Sequence, residues 1–167
     1  MEINIGEIIL RVYDDANLEH VNVINEFKNA SNSKFIHRIP ERLMVKVNEK
    51  SYPFNTAFIV NCDNQDIGYV FISALVNDEV FLEISILKKF RTMGYGGLCL
   101  DEVTDYLFDN YNIKGISLDI DPSNEASIRT ALSCGYSPDS EEFMERSMNG
   151  NMLYRKDNYY YVSRRKK

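Results

Sequence analysis

The chain is poor in the residues that most often build metal and redox sites. Its 167 residues include three cysteines and two histidines. Cys62, Cys99 and Cys134 form no C-x-x-C pair, so we expect free thiols in a reducing cytoplasm rather than a zinc site. His20 and His37 have no partner at the spacing of a metal site or a catalytic relay. The sequence therefore predicts no metal centre.

The chain also lacks an excess of positive charge and a long apolar run. Lys and Arg total 19 against 25 Asp and Glu, which gives a formal net charge of -6. This balance argues against general nucleic-acid binding, which needs a basic surface, and it is compatible with a cationic partner such as an amine. The longest apolar run, residues 69–76, is too short to cross a bilayer, and no basic start precedes an apolar block. We therefore expect a cytoplasmic protein that binds neither nucleic acid nor membrane.

The apolar pattern predicts one domain over residues 1–167. An apolar fraction of 44% is ordinary for a globular protein, and neither a repeat nor a low-complexity linker divides the chain. Periodicity and turn residues predict eleven elements. In chain order these are a strand at 3–13, helices at 16–29 and 40–47, strands at 56–62, 67–76 and 80–87, a helix at 95–109, a strand at 115–120, a helix at 123–134, and a hairpin of 140–148 and 151–156.

The connections between these elements predict a mixed sheet of the α/β (α+β) class. Short polar turns join the three strands between residues 56 and 87, which is typical of an antiparallel meander. Strand 80–87, helix 95–109 and strand 115–120 form a βαβ crossover, so these two strands are expected to be parallel.

Three turn signals mark the later part of the chain. Ser123 is the expected N-cap of the last helix, and Gly135 is its expected left-handed C-terminal residue. Asn149-Gly150 is a strong signal for a two-residue hairpin turn.

The residues between strand 80–87 and the helix after it form a glycine-rich turn, Phe90-Arg-Thr-Met-Gly-Tyr-Gly-Gly97. The first N–H groups of a helix have no internal partner, and the peptide dipoles place partial positive charge there, so such a turn can hold a phosphate. A Walker loop is absent, because no Gly-Lys-Ser/Thr follows. A dinucleotide fingerprint would need glycine at position 99, where the chain has Cys99.

The remaining pattern, Arg91-x-x-Gly94-x-Gly96, resembles the Arg/Gln-x-x-Gly-x-Gly/Ala signature of the GNAT superfamily of acyl-CoA N-acyltransferases. The run before it, residues 82–90, looks like the family's fourth strand and its exit. The run from Asn124 to Tyr136 resembles the family's second hallmark, Asn-x-x-Ser-x-x-x-Ala-x-x-x-Gly-Phe/Tyr. Strong resemblance covers roughly residues 65–137.

The resemblance implies a fold, a reaction and a set of partners. The fold is a mixed, mostly antiparallel sheet with a central βαβ crossover and helices on both faces. The reaction moves an acetyl group from acetyl-CoA to a primary amine, such as a protein N-terminus, a polyamine, an amino acid or another small amine. The protein is expected to be a monomer or a homodimer. An alternative is a non-catalytic module of the same fold that binds acyl-CoA or a partner protein.

The resemblance also implies which residues hold the cofactor. Strand residues near position 85 are expected beside the pantetheine, with a backbone N–H near Ile86 polarising the thioester carbonyl. Asn124 is expected to bond the cofactor's arm, although a helix cap is the alternative for it. The full expected set is Ile84, Ser85, Ile86, Arg91, Thr92, Met93, Gly94, Tyr95, Gly96, Gly97, Asn124 and Ser127.

The proton-transfer groups are the open part of this interpretation. A lysine-type amine has a pKa of about 10.4 and must lose a proton before it attacks. Glu83 and Asp119, on the two strands of the crossover, are the candidate general bases, and water is a third possibility. Many family members carry a tyrosine as general acid seven residues after the asparagine, where this chain has Ala131. The Ala form resembles the branch with ribosomal-protein and polyamine acetyltransferases.

Overall fold

A computed structural model describes residues 1–29, 47–139 and 150–159 of the chain. These residues form eight strands and three α-helices. The elements are β1 Glu2–Ile5, β2 Ile8–Val12, α1 Leu18–Asn29, β3 Thr56–Cys62, β4 Gln65–Ile72, β5 Glu79–Ile86, α2 Tyr95–Asn110, β6 Gly115–Ile120, α3 Glu125–Ser133, β7 Ser137–Pro138 and β8 Met152–Asp157.

The strands form one mixed sheet in the order β1-β2-β3-β4-β5-β6-β8-β7. Every neighbouring pair is antiparallel except β5 and β6, which are parallel and joined through α2. The prediction of a mostly antiparallel sheet with a central βαβ crossover is therefore confirmed.

Helices cover both faces of this sheet, as predicted. One face packs against α2 and α3 and includes Phe58, Val60 and Val70. The other packs against α1 and includes Ile59 and Tyr69. Successive strand residues point to opposite faces of the sheet. Since both faces are covered, all seven residues of β3 are buried. None of the described helices is both long and apolar enough to span a membrane.

The parallel pair β5–β6 separates part of the way along its length. The two strands are paired from Glu79 with Gly115 to Phe81 with Ser117. Beyond these residues β5 continues to Ile86 beside β4, and β6 continues beside β8. A gap between two diverging strands therefore opens in the middle of the sheet, on the side that leads to the glycine turn.

Arg155 of β8 ties the closed end of this gap together. Its guanidinium reaches across β6 to the Glu79 carboxylate on β5, and its Nε donates to Asp157 at 2.7 Å. A Cβ at position 115 would overlap the guanidinium, so Gly115 leaves the space for it. The Arg155 side chain is 14% exposed, so its charge is largely removed from water and depends on these partners.

We expect Arg155→Met to destabilise the fold by about 2 kcal/mol, because it removes charge-assisted hydrogen bonds and leaves Glu79 without its cation. Urea unfolding would measure the loss. The control is Arg129→Met, whose ion pair with Glu125 is highly exposed and should contribute little. Equal stability of the two variants would contradict the role given to Arg155.

Two sequence predictions about local structure are wrong. The single strand expected at 3–13 is a hairpin of β1 and β2, in which Gly6 takes a positive φ of 54° and Ile5 pairs with Ile8. The N-cap of α3 is Asn124 rather than Ser123, because the Asn124 side chain accepts from the Ser127 N–H. Gly135 does adopt the predicted left-handed conformation, with φ of 84°.

Asn149 of the predicted hairpin turn lies outside the described residues, and the predicted strand at 151–156 is observed as β8, beside β6 and β7. The predicted strand at 140–148 and the predicted helix at 40–47 lie outside the described residues, apart from position 47.

Candidate functional site

The glycine turn begins α2 with an unusual backbone. Gly94 is the N-cap in the left-handed region, with φ of 84°, and Thr92 has φ of 66°, which is strained for a β-branched residue. Leu98 N–H donates to the Gly94 carbonyl at 3.1 Å, which closes the first helical turn. The N–H groups of residues 95–97 precede this bond and are free of the helical ladder. A Cβ at Gly94 would meet no atom within 4 Å, so the space before the turn is open.

Cationic side chains precede this turn in the chain. Lys88, Lys89 and Arg91 line a cavity of about 450 Å³ with Glu26, Phe27 and Leu87, and none of residues 92–97 is among this lining. Lys89 also pairs with Glu26 of α1 at 3.4 Å. The anion site at the turn therefore rests on the free N–H groups and the dipole at the start of α2.

Arg91 fixes the turn to the end of β5. Its Nε donates to the Ile86 carbonyl at 3.0 Å. Burial lowers the pKa of its guanidinium below the ordinary value, but an arginine remains charged at neutral pH. The arginine of the signature, Arg91, therefore links the anion site to β5, the strand that borders the gap.

The next two glycines allow α2 to lie close to its neighbours. A Cβ at Gly96 would be 3.9 Å from the Ile86 side chain, and one at Gly97 would be 4.0 Å from Cys134 Sγ. Cys134 donates to the Gly97 carbonyl at 3.6 Å. Burial raises the pKa of the Cys134 thiol to about 11, so it stays neutral and is not set up as a nucleophile.

The strand segment predicted to lie beside the cofactor, Ile84 to Ile86, borders the gap as expected from its register. Sequence reasoning missed a residue that shapes it. Gly68 of β4 lies opposite Ile86, and a Cβ there would overlap the Ser85 carbonyl oxygen. A lone glycine inside a strand pattern signals such a close backbone approach, so the signal was present.

The two candidate bases lie on opposite sides of the gap. Glu83 and Asp119 are each two residues beyond the last pair, Phe81 with Ser117, and both point to the α1 face of the sheet. Glu83 is half-buried and its Oε1 accepts a hydrogen bond from the Tyr69 hydroxyl at 2.9 Å. Asp119 is exposed. The structure therefore distinguishes two carboxylates that the sequence left as alternatives.

Asn124 and Ser127 form the N-terminal cap of α3. The Asn124 Oδ1 accepts from the Ser127 N–H at 3.3 Å, which is the capping interpretation of this asparagine. Ala131, at the position where many family members carry a tyrosine, is fully buried in the core. Tyr136 is also buried, and its hydroxyl bonds with Thr104 at 2.7 Å.

Within residues 1–29, 47–139 and 150–159, the His, Cys, Asp and Glu side chains form no group of three or more that could hold a metal ion. All three cysteines are buried and free.

Comparisons with known proteins give the family and the fold of the chain. A family model described as an acetyltransferase (GNAT) domain matches residues 7–137. No curated protein sequence matches the chain. The solved structure of the acetyltransferase from Agrobacterium tumefaciens str. C58 is similar with a TM-score of 0.74 at 17% identity, over 93% of this chain and 94% of that one.

Two further solved structures are similar in fold. RimL, the ribosomal L7/L12 alpha-N-protein acetyltransferase in complex with coenzyme A, has a TM-score of 0.67 at 14% identity, over 94% of this chain and 98% of its own. A spermidine N-acetyltransferase SpeG chimera from Vibrio cholerae and hSSAT has a TM-score of 0.64 at 17% identity, over 95% and 99%. At these identities the likeness establishes the fold.

Proposed function

Because the chain belongs to the GNAT acetyltransferase family, we propose that it transfers an acetyl group from acetyl-CoA to a primary amine. The observation that carries the proposal is the position of the glycine turn. Arg91 ties the open N-terminus of α2 to the end of β5, the strand that diverges from β6 in the middle of the sheet. An anion-binding turn beside an unpaired strand segment suits a long ligand with a pyrophosphate at one end and an extended arm at the other.

In this proposal the backbone holds most of the acyl donor. The N–H groups from Thr92 to Gly97 bind its pyrophosphate, with Arg91 fixing the turn. The arm follows Ile84, Ser85 and Ile86 as an added strand would, and Asn124 and Ser127 at the start of α3 lie along its other side. The donor supplies a thioester, and the acyl carbon of this thioester is the electrophile. A backbone N–H near Ile86 polarises its carbonyl, and such donors typically contribute on the order of 100- to 1000-fold in rate.

The amine reaches the thioester from the α1 face, where Glu83 and Asp119 point. Glu83, directly or through one water, removes a proton from the ammonium group. The neutral nitrogen then bonds to the acyl carbon to give a tetrahedral intermediate. The carbon–sulfur bond breaks, and the nitrogen loses its second proton, through water, to the departing thiolate, which leaves an amide and a free thiol. Glu83 is preferred because its carboxylate is half-buried and held by a hydrogen bond, whereas Asp119 is exposed.

For the acceptor we propose a chemical class, a primary amine, rather than one compound. RimL and SpeG are named for a ribosomal protein N-terminus and for spermidine, so a protein α-amine and a polyamine are the first acceptors to test. Free, buried cysteines support a cytoplasmic location. A monomer or a homodimer remains the expected assembly.

The test follows thiol release from acetyl-CoA with a polyamine, a peptide carrying a free N-terminus, and lysine. We expect amine-dependent release with at least one of them. The protein's own thiols are buried and should add little background. Absence of release with every amine, together with no acetyl-CoA-induced rise in Tm, would refute the proposal. A rise in Tm without release would instead favour the non-catalytic acyl-CoA-binding module.

A further inference from the structure

We propose that Tyr69 is a positioning residue that holds the Glu83 carboxylate in the orientation needed to take the amine's proton. The inference rests on the proposed function, and it adds a residue on β4 to a site that the signature motifs place on β5, α2 and α3.

The geometry of two adjacent strands brings the pair together. Tyr69 lies opposite Ser85 in the β4–β5 register, and Glu83 lies opposite Phe71. Tyr69 and Glu83 are therefore diagonal neighbours on one face of the sheet, a separation that an aromatic and a long side chain can span. The Tyr69 hydroxyl donates to Glu83 Oε1 at 2.9 Å, a good distance for a hydrogen bond.

Tyr69 is itself rigidly held. It is 2% exposed and packs in the α1-side cluster with Val23, Ile24 and Ile59. Its ring meets the Phe27 ring of α1 edge-on, with the centroids 5.5 Å apart. Such an edge-to-face contact is a favoured geometry for aromatic rings. The hydroxyl is thus presented at a defined point by α1 and β4.

A rigid donor matters because a glutamate side chain is flexible. Fixing it in one rotamer has an entropic cost. A hydrogen bond to a charged group is strong enough to offset that cost. The bond uses one carboxylate oxygen, and the other oxygen belongs to the same fixed plane. The direction in which Glu83 meets the amine is therefore set by Tyr69.

A purely structural role for the Tyr69 hydroxyl makes a different prediction. In that case removing the hydroxyl would lower stability, and the effect on rate would be independent of Glu83. A double-mutant cycle separates the two roles, because residues that act as a unit give strongly non-additive effects.

The cycle compares the wild type with Tyr69→Phe, Glu83→Gln and the double variant, using the amine found to be acetylated. We expect Tyr69→Phe to lower kcat about tenfold, with an unchanged KM for acetyl-CoA. In the Glu83→Gln background the same substitution should cause no further loss. Tyr136→Phe is the matched control, since it removes another buried hydroxyl from a hydrogen bond, on the opposite side of the sheet. It should leave kcat unchanged.

Each other outcome has a defined meaning. A tenfold loss that persists in the Glu83→Gln background, or an equal loss in Tyr136→Phe, would overturn the positioning role. Wild-type kcat in Glu83→Gln would also overturn it, while leaving the acetyltransferase proposal intact. Absence of turnover by the wild-type protein with every amine would refute the proposed function itself, and the inference with it.

Discussion

Replacement of Gly94 by aspartate is expected to abolish acetyl-CoA binding while leaving the fold intact. The residue lies in the left-handed region, which Asp and Asn tolerate better than other non-glycine residues. A Cβ there meets no atom within 4 Å. The carboxylate would therefore project into the open space before the helix N-terminus, where the pyrophosphate is proposed to bind.

The size of the effect follows from charge repulsion. Two like unit charges about 4 Å apart near a protein surface repel by about 4 kcal/mol. This corresponds to a loss of affinity of about 1000-fold. Calorimetric titration with acetyl-CoA would measure the change, and urea unfolding would check that the fold is kept.

Gly94→Asn is the matched control, since it has nearly the same shape and the same tolerance of positive φ but no charge. We expect Asn to weaken binding much less than Asp. Undiminished affinity in Gly94→Asp would show that the phosphate does not bind at this turn. Equal losses in both variants would assign the effect to bulk rather than to charge.

The glycine turn could be predicted from sequence because its signals are local. A strand, a positive-φ glycine and an amphipathic helix follow one another between residues 79 and 110, and each has its own residue pattern. The β1–β2 hairpin shows the limit of this reasoning. Residues 3–13 are rich in apolar residues on both sides of the turn, and the turn itself is marked by Gly6 with its positive φ.

The separation of β5 from β6 and the pairing of Tyr69 with Glu83 are not local. They depend on strand register, and a period-two pattern does not distinguish pairings that are shifted by two residues. The sequence could place Glu83 and Asp119 on two neighbouring strands. It could not show that one would be exposed and the other held by a tyrosine from β4. In the sequence, Tyr69 is part of the apolar run 69–76, and the pattern of that run does not distinguish it from its neighbours.

Replacement of Glu83 by glutamine is the second change with a large expected effect. A positioned general base typically contributes a factor of about 100 to 10,000, so we expect kcat/KM for the amine to fall by that amount at neutral pH. Glutamine has nearly the same shape, and its amide oxygen can still accept from the Tyr69 hydroxyl. Stability and acetyl-CoA affinity should therefore be unchanged, which steady-state kinetics and calorimetric titration would check.

Asp119→Asn decides between the two carboxylates that face the gap. If Glu83 takes the proton, the loss in Asp119→Asn is much smaller than in Glu83→Gln, and the reverse order would make Asp119 the base. Glu7→Gln, in the exposed β1–β2 turn, controls for the loss of one negative charge. The activity of Glu83→Gln should also recover as the pH rises toward the pKa of the amine, about 10.4 for a lysine-type amine and about 8 for a protein α-amine, because the neutral amine then forms without a base. A loss that is independent of pH would indicate that Glu83 binds the acceptor rather than deprotonating it.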